Sequence, residues 1–86
     1  MTHYDCLSQL LGKRITGIVV KESDGTPKSQ LFLLFDDDTH FEFYCVFDRI
    51  VPTKGLWQHG EGHGIQNVRE YMGETMHIVS EVYQKD

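Results

Sequence analysis

The chain has 86 residues, a formal net charge of −5, five Phe, four Tyr and one Trp, and a chain of this length forms one domain that buries only about 60–65% of the surface its unfolded form exposes. Residues 1–86 are therefore read as a single domain, and a homodimer is expected to cover aromatic surface that so small a core leaves open. The eight Lys and Arg form no basic run, which disfavours direct nucleic-acid binding. No apolar run nears the ~20 residues of a membrane span, and Met1 to Leu11 lacks the pattern of a signal peptide, so a cytoplasmic protein is expected.

Thr2-His3-Tyr4-Asp5 fits a capping box that starts a short helix. Tyr4, Leu7, Leu10 and Leu11 recur at helical spacing, and Gly12 stands where a left-handed stop residue belongs. Lys13 to Glu22 is rich in Ile, Val and Thr and runs into the turn cluster Ser23-Asp24-Gly25-Thr26-Pro27. Gln30 to Phe35 is apolar on both alternating faces and suits a central strand, whereas Phe41, Phe43 and Cys45 alternate with His40, Glu42 and Tyr44 as a half-buried partner strand should.

The turn between these two strands can be fixed by register. A three-residue loop, Asp36 to Asp38, puts Leu31, Leu33 and Phe35 on one face with Phe41 and Phe43, whereas a two-residue loop would pair the leucines with His40, Glu42 and Tyr44. The longer loop is expected, with Asp38 in the left-handed position where Gly is usual. Three adjacent aspartates also suggest a hard cation, but calcium loops spread their carboxylates further apart, and turn chemistry already accounts for Asp here.

Beyond Val46 the periodicity fades. Phe47 to Val51 suggests a short strand, and Pro52 and Gly55 interrupt any regular element between it and the tryptophan. Ile65, Val68 and Met72, with Tyr71 beside them, mark a brief amphipathic helix stopped at Gly73. Thr75 to Tyr83 alternates Met76, Ile78 and Val82 against His77, Glu81 and Tyr83, with Val79 and Ser80 out of phase, and closes the domain as a strand. The fold expected is α+β: a small antiparallel sheet of about four strands with two short helices packed on one face, in the order α-β-β-β-loop-α-β. Cys6 and Cys45 lack a CxxC spacing and are read as reduced, partly buried thiols.

Trp57-Gln58-His59-Gly60-Glu61-Gly62-His63-Gly64 carries the chain's distinctive chemistry. His59 and His63 have a chelating spacing, with Glu61, Cys45 or His40 as further ligands, but glycines break the turn that would align them. Gly60, Gly62 and Gly64 precede a helix start that favours a small anion such as a phosphate-bearing metabolite, yet no P-loop or dinucleotide pattern is present and Glu61 sits among them. Trp57 is suited to anchoring a protein partner or covering the core. No nucleophile or paired carboxylates accompany these residues, so no enzyme activity, cofactor or resident metal is expected. The reading is a non-catalytic binding or adaptor module, homodimeric and recognising protein, with Trp57, His59, Glu61 and His63 as binding residues. The alternative is a metal or small-anion binder built on His59 to Gly64.

Overall fold

Alternating apolar residues set the framework. The computed structural model describes residues 7–25, 28–53, 55–60, 62–71, 73 and 75–85. Among them are β1 (Ile15–Glu22), β2 (Ser29–Phe35), β3 (Thr39–Val46), β4 (Arg49–Pro52), β5 (Trp57–Gln58), α1 (Gly64–Glu70) and β6 (His77–Tyr83). The strands form one antiparallel sheet in the order β4-β3-β2-β1-β6, with β5 also paired to β3. The first four are a meander, after which α1 carries the chain over β1 and β2 so that β6 joins β1 at the far edge. Among the described residues no helix is long and apolar enough to cross a membrane.

The expectation of about four strands is corrected to six. Arg49 to Pro52 lies against Val46 to Phe43, and Trp57-Gln58 against His40-Thr39. Between them the Thr53 amide donates to the Glu42 carbonyl at 3.0 Å, and beyond them the His59 amide donates to the Asp38 carbonyl at 2.8 Å. β4 and β5 are thus two pieces of one edge strand, interrupted where Leu56 leaves the line to pack on Phe35 and Phe41. The short strand suggested over Phe47 to Val51 is β4, beginning two residues later at Arg49, whereas the two-residue β5 is held by backbone pairing, so its side chains need no alternation and leave no periodic signal.

The β2–β3 hairpin has the expected register: Leu31 faces Phe43, Leu33 faces Phe41 and Leu34 faces His40. Asp38 has φ 62° and Gly12 φ 80°, both in the left-handed region expected of them. In β6 the out-of-phase residue marks an irregularity: Val20 pairs Ser80 and Lys21 pairs Ile78, so Val79 is the extra residue of a bulge.

Register also assigns the two faces. Val19, Phe32, Leu34, Val68, Ile78 and Tyr83 form the core beneath α1, whereas Phe35 and Phe41 lie on the opposite face under Leu10, Leu33, Phe43 and Leu56. The expectation that both helices share a face is therefore corrected: α1 covers one side, and the segment reaching Leu10 covers part of the other. Leu7 and Ser8 are helical and followed by turns, but the expected capping box and Cys6 lie outside the described residues.

The expected stop at Gly73 is also corrected, since Gly73 is not among the positive-φ glycines and α1 ends at Glu70. Lys21 closes the helix instead. Its fully buried ammonium donates to the carbonyls of Val68 (2.5 Å), Arg69 (3.1 Å) and Tyr71 (2.5 Å), matching three N–H donors to three carbonyls of the helix end. Burial lowers the Lys21 pKa, and the charge of Glu42 opposes that shift.

Candidate functional site

Both faces of β3 are buried over its first half, Thr39 and Phe41 on one and His40 and Glu42 on the other. His40 and Glu42 are 6% and 3% exposed, while Phe43 and Cys45 on the other face are only half-buried. The expected half-buried strand is corrected to this extent: α1, β5 and the chain after β5 bury His40 and Glu42 on the polar face as well, while the apolar face is left partly open at Phe43 and Cys45. Gln30 Nε2–H and the Tyr44 hydroxyl donate to Glu42 Oε2 at 3.2 and 3.3 Å, and His40 Nε2 meets Glu42 Oε1 at 3.0 Å. Burial, then the adjacent Glu42 charge, pushes the Tyr44 pKa up to about 12, so its phenol keeps the proton it donates.

The chain of contacts continues outward. His40 Nδ1 lies 2.5 Å from His59 Nε2, and Asn67 Nδ2 lies 3.2 Å from His59 Nδ1. One set of tautomers, assigned from the network, satisfies every contact: Asn67 donates to His59 Nδ1, His59 Nε2–H to His40 Nδ1, and His40 Nε2–H to Glu42. Burial first, then His40, lowers the His59 pKa, with Asp38 opposing, and this favours the neutral imidazole that the chain requires. The result is a row of rings fixed by a buried carboxylate at one end and a surface amide at the other.

Trp57 stands on this row. It pairs with His40 across the strands, and its ring is stacked on the imidazole at 12° and 6.3 Å between centroids, while 55% of the residue stays exposed. Trp57, His40, Glu42, His59, Asn67 and Tyr71 line an open cleft of about 220 Å³. Tyr71 is half exposed and rests edge-on against Phe32.

Of the residues singled out from sequence, Trp57 and His59 come together here. Glu61 lies outside the described residues. His63 goes elsewhere: it is exposed and precedes α1 without a side-chain capping bond. Glu42, Asn67 and Tyr71 were missed as site residues, and His40 was named only as a further candidate metal ligand. The pattern His40-x-Glu42-x-Tyr44 was the available signal, since three polar groups on one strand face can hydrogen-bond one another when that face is covered.

The glycine loop is occupied from within. Asp38 Oδ1 accepts from the Gly62 amide at 3.4 Å, and Asp37 accepts from Lys13 and from Thr39 Oγ1, so these aspartates dock the loop and hold the turn. His59 spends both ring nitrogens on His40 and Asn67. Among the described residues no group of three His, Cys, Asp or Glu side chains is arranged to hold a metal ion. No known family model matches the chain, and neither the curated proteins nor the solved structures offer a significant match.

Proposed function

We propose that this protein is a non-catalytic, cytosolic adaptor that recognises a protein partner through Trp57 and acts as a homodimer. The observation that carries the reading is the exposed Trp57 ring held on a row of hydrogen-bonded imidazoles. An aromatic anchor fixed before binding loses little side-chain entropy when a partner covers it. The cleft beside it, with Tyr71 and the Asn67 amide at its rim, accepts an apolar or planar side chain and offers polar contacts around it.

Trp57→Ala tests the reading. A half-exposed ring contributes about 1 kcal/mol of burial to folding, so the variant is expected to remain folded and to lose at least tenfold in partner affinity in a capture assay. Unchanged capture would remove Trp57 from the recognition surface. Collapse of the fold would make Trp57 a core lid.

A further inference from the structure

We propose that the sheet face opposite α1 is the homodimer interface, with Phe47 of each copy inserted into the apolar groove of the other. This rests on the homodimer reading above and assigns it a surface distinct from Trp57. Val20, Leu31 and Phe43 form one row across three strands, and Cys45 and Ile50 form the next. Together they line an open groove of about 340 Å³. An apolar cavity of about 150 Å³ holds a benzene ring, so the groove has room for a phenyl side chain.

Phe47 supplies one. It is the first residue of the two-residue loop between β3 and β4, at the end of the groove, and is 93% exposed with φ 57°. A bulky residue in the left-handed region is a backbone outlier, and one displayed to solvent gains no packing in return. Ile50, two residues beyond the loop, is 74% exposed. Knob and groove on one hairpin give a self-complementary patch of the kind a two-fold contact needs.

Area favours a second copy of the chain as the occupant. The chain exposes 6087 Å², whereas a folded monomer of 10.0 kDa exposes about 5,240 Å², an excess of about 850 Å². A standard interface buries about 800 Å² on each partner.

The test is native mass spectrometry and sedimentation of the full chain, wild type against Phe47→Gly and Ile50→Asp, with the rate of Cys45 alkylation by iodoacetamide read by peptide mass. The expected result is a wild-type dimer whose Cys45 is protected. Phe47→Gly should raise the dissociation constant at least tenfold and expose Cys45 without lowering the melting temperature of dilute protein, since glycine relieves the φ. Ile50→Asp should be monomeric. A Phe47→Gly dimer of unchanged affinity beside a monomeric Ile50→Asp would overturn the inserted phenyl, while both variants dimerising as wild type would overturn this face. A monomeric wild type at 100 µM, as a rough upper working concentration, would overturn the homodimer reading itself.

Discussion

Lys21 and His59 show how single residues are decided by what surrounds them. Lys21 lies in a strand that reads as apolar from sequence, yet its ammonium closes α1 and is nowhere exposed. Lys21→Met keeps the aliphatic stem and leaves three carbonyls of the helix end without their donor. It is expected to cost about 3 kcal/mol, read from urea unfolding; a loss near zero would mean that water replaces the ammonium. His59 carries the pH dependence of the cluster. Its folded pKa lies below the ordinary 6.5, so on acidification the unfolded chain takes up the proton first. The His59 contribution is fully present above about pH 6.5 and declines as the pH falls through the lowered folded value. The facing groups are His40, Glu42 beyond it and Asp38. His59→Gln, which can still donate to His40, is expected to flatten the fall in melting temperature between pH 7 and 5. An equally steep fall would place the acid sensitivity on another group.

At the scale of elements, turns and irregularities are where local sequence and tertiary demand meet. The β2–β3 hairpin was legible because only a three-residue loop aligns Leu31 and Leu33 with Phe43 and Phe41. Its left-handed Asp38 carries a strain of about 1 kcal/mol that glycine would relieve, offset in part by the 3.4 Å bond from Gly62 to its carboxylate. Asp38→Gly is therefore expected to stabilise by about 0.5 kcal/mol, or about 2–4 °C in a thermal melt. A lower melting temperature would show that docking the glycine loop outweighs the strain. The Val79 bulge was legible only as a broken alternation. Its effect is to return Ile78 to the α1 side and Val82 to the other, and to twist an edge that would otherwise pair freely with a second chain.

For the whole molecule, the two sheet edges differ from the two faces. One edge is interrupted between β4 and β5 and the other is bulged at Val79, so neither offers a long regular ladder. The faces are unequal as well. α1 covers a core that includes a hydrogen-bonded polar cluster, while Val20, Leu31, Phe43 and Ile50 remain partly or largely open on the other side. Self-association through the open face and recognition through Trp57 are therefore compatible in one molecule, and a dimer would display two copies of the Trp57 cleft.

Much of the framework was written locally. The alternation of β1, β2, β3 and β6, the glycine stop at Gly12, the hairpin register and the short helix before Tyr71 come from backbone geometry and neighbouring side chains, which the sequence records directly. The site was legible only in part. Trp57 and His59 stood out by composition, but their partners His40 and Glu42 lie on a strand distant in sequence and became partners only when β5 paired with β3. That His40 and Glu42 on the polar face of β3 are buried too, what ends α1 and where the open apolar surface lies were decided by the tertiary structure alone. The physical reason is that alternation says which residues share a face, whereas burial depends on which element, held by long-range backbone pairing, comes to cover it.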